Sequence, residues 1–172
     1  MLSPKMKTAL NEQIQHELYS AYIYLGMAAY FESNSLPGFA HWMRIQVQEE
    51  LFHASKFFDF VYERDEDVEL FAIDKPGVDY ESPKDVFEAA YAHEQFISGK
   101  IHDLYALAMD ERDYASRPLL HWFIGEQVEE EASAKDIIDQ LNLISESKMG
   151  IYMLDKELAA RVFTPPAAEG GE

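Results

Sequence analysis

Glu50 and His53 stand three residues apart, as do Gln127 and Glu130, and each pair interrupts a run of apolar residues with helical spacing. Glu17 and Glu94 interrupt two further runs of the same kind. Side chains three apart on a helix share one face, with Cβ atoms about 5–6 Å apart, so each pair presents two polar groups to one point. A lone carboxylate moved into a low-dielectric interior is strongly disfavoured. Grouping several adds repulsion that only a proton or a cation relieves. Divalent iron or manganese among them meets that need. With Glu50 central, one ion can take Glu17, Glu50 and His53, and a second can take Glu50, Glu94 and Glu130. Four glutamates to one histidine favour a hard, oxygen-seeking ion over zinc or copper. Any one of these residues read alone fits a solvated side chain on a differently rotated helix; four helices agreeing at one level weigh against that.

The elements that must carry these residues are four long helices, expected at 4–32, 36–64, 83–111 and 115–143. In the first, Leu10, Ile14, Glu17, Ala21, Tyr24 and Ala28 step by four and three along one face. The second repeats this with Phe39, Met43, Val47, Glu50, Ala54, Phe57 and Val61. The third has Phe87, Ala90, Glu94, Ile97, Ile101, Leu104 and Ala108, and the fourth Leu120, Phe123, Gln127, Glu130, Ala134, Ile137 and Leu141. Ser3-Pro4 and Ser82-Pro83 are helix-start signals. Gly99 inside the third helix suggests close packing there. The polar interruptions fall near mid-length in every helix, so they meet at one level whichever way each helix runs.

The first two helices join through a short turn and should lie antiparallel. Residues 65–82 break the helical pattern, with Val68 to Ile73 extended and partly apolar. Fully extended, such a segment reaches at most roughly 60 Å, against roughly 43 Å for a helix of this length. It can therefore cross the whole bundle and let the third helix start where the second started. A fifth helix is expected at about 146–161, with Ile151, Leu154 and Leu158 on one side, followed by a loose tail over 164–172. The fold class is all-α: a four-helix bundle with one long crossover connection plus a short fifth C-terminal helix.

Acidic residues number 32 and basic ones 14, a net charge of −18 over 172 residues. No nucleic acid and no anionic membrane is expected as a partner, since both require a basic surface. The same charge attracts cations, and equally serves solubility. The chain has no cysteine, which excludes disulfides, thiolate metal sites and thiol catalysis. With no signal-type apolar run near Met1 and no uninterrupted apolar stretch of spanning length, a soluble cytoplasmic protein is expected.

Several stretches then resemble one family, the bacterial and archaeal non-haem ferritins, over nearly the full length. They are Glu17-Leu18-Tyr19-Ser20-Ala21-Tyr22, Gln48-Glu49-Glu50-Leu51-Phe52-His53-Ala54, Glu94, and Glu126-Gln127-Val128-Glu129-Glu130-Glu131. Gln127-x-x-Glu130 departs from the general di-iron scheme of two glutamates plus two Glu-x-x-His pairs, in the manner of non-haem ferritins. It makes the second iron site more oxygen-rich.

The resemblance implies a ferritin-like di-iron domain over 1–163. It implies oxidation of ferrous iron by oxygen or peroxide and storage as ferric oxide-hydroxide inside a homo-oligomeric cage of 24 subunits. Glu17, Glu50, His53, Glu94, Gln127 and Glu130 would form the ferroxidase centre. Glu49, Glu126 and Glu129 would form a further iron site near the inner surface; on spacing alone they also fit a solvated acidic face. Tyr24, seven residues after Glu17, would lie by the irons and supply an electron; on spacing alone it fits a packing aromatic equally. Leu51 stands where haem-binding relatives carry methionine, so no haem is expected at that position. His16, His41, His93, His102 and His121 lack paired spacing and read as structural or exposed. Met43, Met109, Met149 and Met153 read as core or interface filler. The rival readings are a di-metal oxidase acting on an organic substrate and a four-helix signalling or scaffold protein. Iron loading separates all three.

Overall fold

The computed structural model describes residues 2–145 and 147–166. Among them are five helices and no strand: α1 (Pro4–Ser33), α2 (Pro37–Glu63), α3 (Pro83–Asp110), α4 (Arg117–Ile144) and α5 (Lys148–Leu158). Each of the four long helices has proline in its first turn, where the missing N–H would be unbonded anyway. Ser3 Oγ accepts from Met6 N at 3.1 Å, and Ser82 Oγ accepts from Asp85 N at 3.1 Å. Ser116 does not cap α4; its hydroxyl donates to Asp113 and accepts from Arg64 at 3.1 Å. With that group committed elsewhere, α4 begins at Arg117, two residues later than the sequence pattern suggests.

The start of α2 is capped from the far end of the chain. Leu36 offers no side-chain acceptor. Asp155 of α5 supplies one instead, its Oδ1 accepting from Gly38 N at 2.7 Å and Phe39 N at 3.2 Å. Such proximity requires Gly38, because a Cβ there would fall 1.6 Å from the Asp155 carbonyl oxygen. At the other helix ends, Ser35, Asp65 and Arg112 take left-handed φ of 59°, 55° and 55°. Leu36 N, Glu66 N and Asp113 N then bond back to Phe31 O, Val61 O and Ala108 O, closing helix ends with the geometry that glycine usually provides.

The crossover runs the length of α1. Lys7 Nζ meets Glu66 at 2.9 Å, Asn11 Oδ1 accepts from Glu69 N at 2.7 Å, and Gln15 donates to the Ala72 carbonyl. Near the far end Gly26 lets Pro76 and Val78 approach; a Cβ would stand 3.3 Å from Val78. The segment thus spans the bundle as expected, pinned by side chains of α1. It forms no regular strand.

The apolar interior is divided in two. One cluster holds Tyr24, Phe31, Phe39, Trp42, Phe87, Ile137, Leu141 and Leu154. The other holds Met6, Leu10, Ile14, Phe57, Ile97, Leu104, Leu120 and Phe123. Along α1 and α4 the chain runs from the second cluster to the first, and along α2 and α3 the reverse, so α3 does start where α2 started. Every stripe residue expected in the four helices is buried except Val47, which is half-buried. Between the clusters lies a polar waist.

Two expectations are corrected. Gly99 does not mark close packing, for a Cβ there would meet nothing within 4 Å among the described residues. It sits on the outer face of α3, opposite Ile97 and Ile101. The fifth helix, expected at 146–161, is shorter: it ends at Leu158, and the residues after it turn to lie along α2. Glu146, and the part of the expected tail from 167 to 172, lie outside the described residues.

Candidate metal centre at the waist of the bundle

Each helix brings its polar residues to the waist because they occupy the same face as its apolar stripe. Glu17, Glu50, His53, Glu94, Gln127 and Glu130 are all at most 5 % exposed. Ligand atoms of Glu17, Glu50 and His53 lie within 4.8 Å of one another, a spacing that suits one metal ion. His53 Nδ1 is 3.6 Å from Glu50 Oε2. Burial pulls the His53 imidazole down to about 4, so this contact is no ion pair at neutral pH but two ligands facing one point.

Hydrogen bonds hold the other carboxylates. Tyr24 donates its hydroxyl to Glu94. Gln127 Nε2 donates to Glu94 Oε2 at 3.1 Å and to the Glu94 carbonyl at 3.2 Å. Gln13 Nε2 donates to Glu17 Oε1 at 2.8 Å, and Gln46 Nε2 to Glu130 Oε2 at 2.8 Å. The sequence pattern misses two amides, Gln13 and Gln46, that orient Glu17 and Glu130. Gln13 precedes Glu17 by four, and Gln46 precedes Glu50 by four. Each shares a face with a waist acid, and that spacing was the available signal.

The electrostatics show what the arrangement demands. Burial, and secondarily neighbouring carboxylates, push Glu50 and Glu130 well above the usual carboxylate range; burial also raises Glu94. Burial pushes Glu17 up to about 7, opposed by hydrogen bonds from Gln13 and Glu50. The Tyr24 hydroxyl is likewise raised, by burial and then by Glu94, so it stays a neutral donor. Burial and mutual repulsion thus favour protonated acids in the waist, or a multivalent cation in place of the protons; oxygen-rich donors with one imidazole fit iron.

The second acidic group sits on the edge of the waist. Glu49 is half-buried, as is Glu126, while Glu129 is exposed. Burial raises both Glu126 and Glu49, and Glu129 raises them further, but among the described residues the ligand atoms of the three do not draw together as those of Glu17, Glu50 and His53 do. Glu49 is already paired, however, with the Arg161 guanidinium at 2.9 Å. No spacing in the sequence signals that contact. Leu51 is exposed on the outer side of α2. His93 is structural, its Nε2 lying 2.8 Å from Ser20 Oγ. Met43 is core, whereas Met109, Met149 and Met153 are exposed.

Comparison with known proteins agrees with this geometry. The ferritin-like domain profile matches residues 7–144. A bacterial non-heme ferritin of Staphylococcus saprophyticus is 41 % identical over 163 residues, covering 95 % of this chain and 98 % of that one. One from Staphylococcus aureus is 36 % identical over the same shares. Among solved structures, an open-pore ferritin from the hyperthermophilic archaeon Archaeoglobus fulgidus superposes with a TM-score of 0.92 at 52 % identity, covering 94 % of this chain and 99 % of that one. An engineered closed form of the ferritin from that organism gives 0.94 at 51 % identity, covering 95 % and 100 %. On the fold, the waist and these likenesses together, the chain belongs to the ferritin family.

Proposed function

We propose that this chain is an iron-storage ferritin whose waist is a ferroxidase centre. The observation that carries the reading is the burial of four glutamates and a histidine in one polar layer, three of them with ligand atoms within 4.8 Å. Glu17, Glu50 and His53 take one ferrous ion. Glu50, Glu94 and Glu130 take the second, with Gln127 beside it, and Glu50 is the shared ligand. Iron is the substrate. Two ferrous ions give up one electron each, and dioxygen takes the pair with two protons to leave as hydrogen peroxide; peroxide can serve as oxidant in turn. Ferrous binding displaces protons held on the waist acids, so the site exchanges proton for metal charge without leaving bare carboxylates. Tyr24 supplies an electron to the site, a role its hydrogen bond to Glu94 supports. Glu49, Glu126 and Glu129 form a further iron site towards the face where ferric product leaves.

The unit that does this is residues 1–163. It assembles as a homo-oligomeric cage of 24 subunits that encloses ferric oxide-hydroxide and works in the cytoplasm without haem. No helix among the described residues is long and apolar enough to cross a membrane. Exposed Tyr22, Leu25, Phe58, Tyr62, Leu70 and Ile73 give such a cage apolar surface to bury. Anaerobic loading with ferrous iron followed by air tests the reading: initial oxidation should fall at least tenfold in Glu50→Ala and His53→Ala while far-UV circular dichroism is retained. Unchanged progress curves in both variants would refute the assignment. Retention of about two irons per chain, rather than hundreds per assembly, would favour a plain di-metal oxidase.

A further inference from the structure

The residues that follow α5 lie across the edge of the acidic waist, and Arg161 is fastened there on three sides. Its Nη2 donates to Glu49 Oε2 at 2.9 Å. Its guanidinium carbon stands 4.1 Å from the centre of the Trp42 ring, a stacking distance for a cation on an aromatic face. Its carbonyl oxygen is 2.8 Å from His41 Nε2. Two residues on, Phe163 packs against Phe52 with ring centres 5.8 Å apart. The segment therefore spans α2 from Trp42 to Phe52, with Glu49 beneath it. Yet the guanidinium is imperfectly satisfied: Nη1 is buried and has no acceptor among the described residues, an arrangement that is costly for a charged donor. What favours it is the acidic surround, since Glu49, Glu130 and Glu50 all lie within its electrostatic reach. Lys56, a second cation near this edge, rests over the Trp122 ring at 4.2 Å.

We propose that Arg161 is a tethered cation that occupies Glu49 in place of metal, so that Glu49, Glu126 and Glu129 gain an ion only when the segment after α5 releases its arginine. This rests on the reading of those three acids as an iron site. The physical reason is competition for one carboxylate: the Glu49 oxygen that accepts the guanidinium is a donor an ion needs, and two cations at that spacing repel. The segment is thereby a latch, and occupation of the outer iron site is coupled to its release.

The test is anaerobic calorimetric titration of the metal-free full chain with ferrous iron, in the native sequence, Arg161→Gln and Arg161→Lys, each with and without Glu129→Gln to identify the outer ion. The expected result is an outer ion bound about tenfold tighter in Arg161→Gln, and about as in the native chain in Arg161→Lys, which keeps the charge. Equal outer affinity in the native chain and Arg161→Gln overturns the latch while leaving the outer site standing. If no background shows an ion sensitive to Glu129→Gln, the site reading fails and the latch with it. A second measurement uses the native chain alone: ferrous saturation should speed amide exchange across residues 159–163, and unchanged exchange overturns the proposal even if the variants fold poorly.

Discussion

Replacing Glu17 by glutamine should make the metal-free protein more stable, although it removes a buried residue of the site. Glu17 is 1 % exposed and its carboxyl is raised from 4.5 to about 7, chiefly by burial. A raised folded-state value means that the stability the neutral acid contributes is complete below pH 4.5 and is lost as pH climbs through 7. A tenfold change in proton affinity is worth about 1.36 kcal/mol, so the handicap above pH 7 is about 3 kcal/mol. Glutamine has nearly the same shape, its carbonyl still accepts from Gln13, and it never ionises. Glu17→Gln should therefore exceed the native chain by about 3 kcal/mol at pH 8, or roughly 6–12 °C in Tm for a chain of this size, and by almost nothing at pH 4.5. His53, drawn down to about 4, has the opposite sign, with its stability present above 6.5 and lost as pH falls through 4. It is common to both chains and leaves the difference intact. Saturating ferrous iron should reverse the order, because ligand binding stabilises only the chain that binds. Differential scanning calorimetry in chelator, and again anaerobically with ferrous iron, at fixed chain concentration, measures all of this. A Glu17→Gln chain less stable than native at pH 8 in chelator, or a difference independent of pH, would refute the electrostatic account of the waist.

Tyr24→Phe removes one buried hydroxyl and keeps the ring. It should lower stability by about 1 kcal/mol and slow the later turnovers of iron oxidation more than the first, as read by stopped-flow absorbance. Gly38→Ala drives a methyl into the Asp155 backbone; a loss of about 3 kcal/mol or more is expected, with early proteolytic cleavage between α4 and α5 as its signature. Ser35→Gly relieves a left-handed residue at an exposed helix end and should raise stability by about 1 kcal/mol, seen as a higher denaturant midpoint with an unchanged slope.

Two shortfalls of sequence reasoning share a cause. Local cost and local periodicity are all that the sequence offers for Gly99 and for the end of α5, and both depend on what faces them. Gly99 faces outward. Ala159 to Phe163 has sequence compatible with further helix, but Arg161 and Phe163 find partners on α2 that a continuing helix would carry away from it.

The sequence alone determines the four helices, the face each turns inward and the acids on those faces. All of these follow from a repeat of 3.6 residues and from side chains three or four apart, relations internal to one helix. It also determines the reach of the crossover, since 18 residues of extended chain exceed the length of a bundle helix. Tertiary structure alone decides which partner each acid receives. Gln46 meets Glu130 across 84 residues, Arg161 meets Glu49 across 112, and Asp155 caps α2 from 117 residues away. Periodicity fixes how a helix is rotated, but not how far it slides along its neighbour. A shift of a few ångströms would keep every stripe buried while breaking every one of these contacts.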